Sequence, residues 1–289
     1  MEGQGRAVVM LHSSMSSKSQ WRSLMQSLQG RYRVIAIDLL GYGESALRGK
    51  DADYRLAEEA RHVERILGKL LLPSEPYHLV GHSYGAAVAL CLARCSGRQL
   101  ASLTLYEPVS AWLLPPNDPA REEFEQLGKE VSQCAAVGDT PAGAARFIDY
   151  WTGEGSFAAL PEAKQRLFAT QLPKVMLEFR AIALERRATA WLRDISAPVC
   201  LMFGRKSPMA PRRIVAHLAT QISHVECVEI NAGHMGPMTH PELVNPGIVQ
   251  FIARVHQPPK PPASPTPREN IPIEVQPPAR MGPLQWSAT

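Results

Sequence analysis

The chain has 289 residues, a mass near 31.8 kDa, 45% apolar and 20% charged residues, and a net charge of +4. That composition suits a globular protein and excludes a wholly disordered chain or a coiled coil. The charge excess is small, and no Lys/Arg block of the kind that grips nucleic acid is present.

The elements alternate along the first 256 residues. Ala7 to Leu11 (AVVML) is a short apolar run that reads as a buried parallel strand. Trp21 to Leu28 has the three-and-four apolar spacing of a helix, and Tyr32 to Asp38 is β-branched and strand-like. Leu56 to Leu72 is a second helical pattern. Tyr77 to Gly81 is a strand that feeds the Ala/Leu-rich helix from Ala86 to Ala93. Ser102 to Glu107 is the next strand. Val199 to Gly204 and Val225 to Ile230 complete a set of six, with helices at Ile214 to Ile222 and Leu243 to Val255. Such alternation specifies an α/β fold, a parallel sheet covered by helices on both faces.

Residues 111–191 break the rhythm. They contain no convincing strand and read as helices at Ala120 to Val137, Ala142 to Trp151, Glu162 to Gln171 and Val175 to Arg187. An insert between two parallel strands sits at their carboxyl ends, where α/β proteins bind ligands. The expected division is therefore a core over 1–110 and 192–256, a helical cap over 111–191, and a Pro-rich tail over 257–289. The tail holds ten of the 25 prolines and reads as extended and solvated, although Ile271 to Val275 suits a surface or sheet edge.

No stretch reaches the roughly 18 apolar residues of a membrane helix. The start lacks a basic region followed by an apolar one, so no secretory signal is read there. The five cysteines are odd in number and scattered, with Cys91, Cys200 and Cys227 in apolar runs. Buried free thiols in a reducing compartment, the cytoplasm, are the expectation.

Gly81-His82-Ser83-Tyr84-Gly85 carries the chemistry. As a G-x-S-x-G match alone it is weak. Directly after a strand and directly before a helix, it has the setting of a nucleophile elbow, with Ser83 pushed above the sheet. A serine hydroxyl needs a base within hydrogen-bond reach. Of nine histidines, His234 lies in the Gly-rich loop after the last strand, at the same carboxyl rim as Ser83. His82 reads as pointing elsewhere on the turn, and His12 as a structural pin. The loop after the penultimate strand, Gly204 to Met209, has no carboxylate and offers Ser207 where an acid is expected. Glu107, at the end of the strand after the elbow, is the candidate acid; a Ser83–His234 dyad with Ser207 as a neutral orienter is the alternative. The backbone N–H of Tyr84, with that of Ser14 or secondly Ser13, would form the oxyanion hole.

Taken together, HSSMSSKSQW, DLLGYGES, GHSYG, LYEP and NAGHMGPMTHPE resemble the α/β-hydrolase superfamily over roughly residues 6–256. The resemblance implies Ser83 as nucleophile, His234 as base, and Tyr84 with Ser14 as oxyanion donors. There are departures. The usual His-Gly is His12-Ser13, and the usual Asp is Ser207. Some relatives, such as one group of haloalkane dehalogenases, carry the acid at a separation like that of Glu107. The family's two preceding strands are missing from the short stretch before His12, which would leave the first strand at an open edge for the tail or a second subunit to cover.

A serine nucleophile argues against dehalogenase or epoxide hydrolase chemistry. Carboxylic ester hydrolysis through an acyl-serine is the leading reading, with a small-molecule ester or thioester as partner. A thioesterase or acyltransferase on an acyl carrier or CoA substrate, a C–C bond hydrolase, and a non-catalytic ligand-binding protein of this fold are the alternatives. Trp151, Phe157, Leu160, Phe168 and Met176 are candidate pocket residues, equally suited to the cap's own core. No metal or organic cofactor is expected, and the oligomeric state is open.

Overall fold

A computed structural model describes residues 2–47, 54–185 and 189–256. The 257–289 tail, and with it the Ile271 to Val275 segment, lies outside the described residues.

Six strands form one parallel sheet: β1 (Ala7–Leu11), β2 (Arg33–Ile37), β3 (Tyr77–His82), β4 (Leu100–Tyr106), β5 (Val199–Gly204) and β6 (Val225–Ile230). Their order across the sheet is β2-β1-β3-β4-β5-β6. The apolar runs follow from burial on both faces. Along β1, Ala7, Val9 and Leu11 join one core cluster while Val8 and Met10 join the other, the two-residue alternation of a pleated strand. One cluster packs α2 (Leu56–Leu70), α3 (Tyr84–Cys95) and α7 (Met209–Gln221) against the sheet. The opposite cluster packs α1 (Arg22–Leu28) and α9 (Pro241–His256), through Leu24, Leu28, Val244, Ile248, Phe251 and Ile252.

Between β4 and β5 in the chain come α4 (Pro119–Ala136), α5 (Thr140–Thr152) and α6 (Glu162–Ala183). Asp118 and Asp139 cap the first two, accepting from the Ala120 and Ala142 amides, with Pro at the first helical turn of each. The one-turn α8 (Gly236–Thr239) follows β6.

Three expectations need correction. The helices expected at 162–171 and 175–187 are one helix, α6, which runs through Pro173. Proline removes one backbone donor and costs about 3 kcal/mol inside a helix. Here burial of Leu172, Lys174, Val175, Leu177 and Glu178 on either side holds the helix together. The first strand is not at an edge: β1 lies between β2 and β3. The edge belongs to β2, where Glu2 makes an antiparallel bridge to Val34 with backbone N–O distances of 3.1 and 2.8 Å. Cys227 is exposed on β6, whose outer face is open, while Cys91 and Cys200 are buried. The His82 ring points away from the Ser83 hydroxyl, toward the His234 carbonyl.

Candidate active site

Ser83 stands between β3 and α3 with φ 55° and ψ −118°, a left-handed conformation that a side chain rarely adopts. Such a backbone costs about 1–3 kcal/mol and persists only where its surroundings enforce it. Gly85 is part of that enforcement. A Cβ there would lie 2.4 Å from the His12 carbonyl oxygen and 2.5 Å from that of Leu11. The start of α3 can therefore press against the end of β1 only if residue 85 lacks a side chain. The Ser83 amide donates to the Tyr106 carbonyl (2.9 Å), which ties the elbow to β4.

The structure brings Ser83, His234 and Glu107 together. His234 Nε2 lies 2.9 Å from Ser83 Oγ, and His234 Nδ1 lies 2.6 Å from Glu107 Oε2. With Nδ1–H donating to the carboxylate, Nε2 is left to accept the serine proton. The Gly204 amide donates to the other carboxylate oxygen, Glu107 Oε1, at 2.6 Å. Glu107 is fully buried and also has a positive φ, 46°. A buried carboxylate is costly unless paired and hydrogen-bonded; here one oxygen faces the imidazole and the other a backbone N–H. Ser207 is not joined to His234: its Oγ is buried and has no hydrogen-bond partner.

His234 is held from three sides. Its carbonyl accepts from His82 Nε2 (2.8 Å), and the adjacent Gly233 carbonyl accepts from Tyr106 Oη (2.8 Å). The Trp151 ring of α5 stacks on the imidazole at 3.9 Å between centroids, 26° from parallel. Burial, then the neighbouring His234, pushes the His82 pKa well below its usual value, so His82 is a neutral donor. This contact of His82 with the His234 backbone is one that the sequence did not reveal.

The loop carrying Ser13 and Ser14 is pinned by three contacts. His12 Nε2 accepts from the Leu39 amide at 3.0 Å, so its Nδ1 carries the proton and donates to the Ser13 carbonyl at 2.7 Å. Burial lowers its pKa to about 4. Asp38 accepts from the Lys18 amide at 2.7 Å. Gln20 Oε1 accepts from both the Ser13 amide (3.1 Å) and the Ser13 hydroxyl (3.0 Å). The Ser13 amide and hydroxyl are therefore engaged with Gln20. Tyr84 is the first residue of α3, so its N–H has no intrahelical acceptor. Ser14, Ser83 and Tyr84 line one narrow space of about 10 Å³ together with Trp151 and Glu178.

A second buried cluster lies beside Tyr84, and no motif announced it. Lys174 of α6 donates to Tyr54 Oη (2.6 Å), to Glu178 (2.8 Å) and to Glu59 of α2 (3.1 Å). Tyr54 also bonds Glu59 and, at 3.0 Å, Tyr84 Oη. The ammonium sits 4.7–5.0 Å from the ring centroids of Tyr42, Tyr54 and Tyr84. Burial raises the Glu178 pKa, against the opposing effect of Lys174. Among the described residues no cluster of three His, Cys, Asp or Glu side chains has the arrangement of a metal site.

Residues 8–246 match the sequence pattern of the alpha/beta hydrolase family. The chain belongs to that family. Among hydrolases, it is similar to the pimeloyl-[acyl-carrier protein] methyl ester esterase of Aeromonas hydrophila, 28% identical over 260 residues that cover 86% of this chain and 96% of that one. It is also similar to the monoacylglycerol lipase ABHD6 of Rattus norvegicus, 24% identical over 270 residues covering 89% and 78%. A solved thermophilic esterase from Thermogutta terrifontis has the same fold, with a TM-score of 0.71, 24% identity, and coverage of 89% of this chain and 92% of that one. As an alpha/beta hydrolase the chain is an enzyme, and no described helix is long and apolar enough to cross a membrane.

Proposed function

We propose that the enzyme hydrolyses carboxylic esters through an acyl-serine intermediate. The observation that carries this reading is the continuous relay from Ser83 through His234 to Glu107, with contacts of 2.9 and 2.6 Å. Ser83 Oγ attacks the ester carbonyl as His234 Nε2 takes its proton. Glu107 stabilises the imidazolium and fixes its tautomer. The Tyr84 and Ser14 amides hold the oxyanion. His234 then returns the proton to the leaving alcohol, the C–O bond breaks, and water cleaves the acyl-enzyme by the same route in reverse.

Residues 111–191 act in this scheme as a cap. Trp151 on His234 and Phe147, Phe124 and Phe179 around Ser83 support that role, since they exclude water and favour an apolar acyl group. The similarity to an esterase and a lipase supports the ester class. We place the enzyme in the cytoplasm, on the strength of its five free cysteines.

Labelling with a fluorophosphonate tests the mechanism. The wild type should label, and Ser83→Ala should not. Folded wild type that resists the reagent would refute an activated serine. A matched panel of esters and thioesters should then show the esters turned over faster; the reverse order would make the enzyme a thioesterase with the same acyl-serine chemistry.

A further inference from the structure

A cavity of about 780 Å³ opens between α4 and α6, beyond the narrow space at Ser83. Its size is that of a small-molecule site. Phe124, Phe179 and Ile182 line both spaces, so the cavity adjoins the space at Ser83. Three consecutive residues of α6 divide the two. Glu178 lines the inner space, Phe179 lines both, and Arg180 lines the outer cavity. That follows from helix geometry, which turns residues two apart to opposite sides.

The polar atoms of the outer wall point to one kind of ligand. Arg180 and Lys129 line the cavity, and among the described residues no carboxylate pairs with either cation. Arg180 Nε and Nη2 and Trp112 Nε1 lie sealed behind the wall without a hydrogen-bond partner, and all three are donors. The wall's carboxylate, Glu125, is paired with Arg121 at 2.8 Å. The Ser132 hydroxyl is spent on the Gly128 carbonyl at 2.7 Å. Buried polar groups without partners are uncommon in folded proteins and call for an explanation. A planar guanidinium fork best matches a carboxylate or phosphate. Gln133 and Lys129 complete the polar side of the wall, and Phe124, Met176, Leu177 and Ile182 form its apolar side.

We propose that this cavity binds an anionic arm of the substrate, a carboxylate or phosphate monoester at the end of an apolar chain, with Arg180 as its ligand. That the arm belongs to an ester rests on the reading above; the anion site itself does not. Calorimetric titration of the full chain with octanoate, octyl phosphate and, as a neutral reference, octanol separates the two. At least one anion should bind about tenfold or more tightly than octanol, and Arg180→Met should erase that advantage while Arg180→Lys keeps part of it. Octanol affinity and unfolding temperature report whether the variants are folded. Anions binding no better than octanol, or a preference that survives Arg180→Met, would overturn the proposal. Which anion wins distinguishes a fatty carboxylate from a phosphate source. In parallel, p-nitrophenyl half-esters of dicarboxylic acids are compared with their methyl-capped forms. The kcat/KM ratio should favour the free acid and fall about tenfold in Arg180→Met; an equal loss for both would count against the assignment. Anion binding without turnover of any ester would sink the esterase reading and leave this site standing.

Discussion

Glu107 satisfies two donors at once, the His234 imidazole and the Gly204 amide, from a buried position with a left-handed backbone. Replacing it with Gln keeps the volume but sets an amide where a charge opposes the imidazolium. By analogy with the Asp→Asn change in the serine-protease triad, which costs about 10⁴ in kcat, Glu107→Gln should lower kcat by about 10³-fold or more, with KM little changed, in steady-state ester hydrolysis. Ser207→Ala should stay within about twofold, because its hydroxyl reaches neither the imidazole nor any other partner. Comparable losses from both variants would reassign the acid. Glu107 was legible in the sequence because it was the one carboxylate at a strand's carboxyl end beside the elbow. His82 was not, since only the fold shows that its ring supports the carbonyl of a residue 152 positions away.

At the scale of elements, two junctions position the site. The first is the contact of α3 with the end of β1. Gly85→Ala would push a Cβ to 2.4 Å from a backbone oxygen with no flexible side chain to yield. A loss of about 3 kcal/mol or more in urea unfolding is expected, the size typical of overpacking combined with backbone displacement. The second junction joins α6 to α2 through Lys174. Removing one partner of a buried ion pair costs about 3–5 kcal/mol because the other charge is stranded. Lys174→Met should therefore destabilise strongly, by about that amount. A double-mutant cycle with Glu59→Gln, its partner on α2, should show the two changes to be non-additive. Additive losses would mean that the junction does not rest on this ion pair.

For the whole molecule, pH acts on stability through buried histidines. Burial lowers the pKa of His12 and of His78 to about 4 from 6.5. The unfolded chain thus takes up protons below pH ~6.5 that the folded chain refuses until about 4. Stability from these groups is full above that window and lost as pH falls through it, up to about 3 kcal/mol for each. Glu178 works in the opposite sense: its raised pKa means that its contribution declines as pH rises through the folded value. Urea unfolding between pH 7.5 and 4 should show a falling stability on acidification. His78→Asn should reduce the slope by about one proton, and an unchanged slope would discount His78 as a source.

The sequence by itself determined the alternating strands and helices, the elbow and the rim on which His234 and Glu107 stand. Those follow from local rules: two-sided burial makes strands apolar, and parallel strands deliver their carboxyl ends to one side of the sheet. It misplaced the open edge, because strand order depends on crossovers that no local pattern encodes, and β2 rather than β1 is outermost. It divided α6 at Pro173, because proline's local cost is visible in the sequence while the burial that offsets it is not. The Lys174 cluster and the Arg180 cavity were decided only by tertiary structure. Their charged residues look like solvated helix positions until α2, α4 and α6 close around them and leave particular donors buried, some paired and some without a partner.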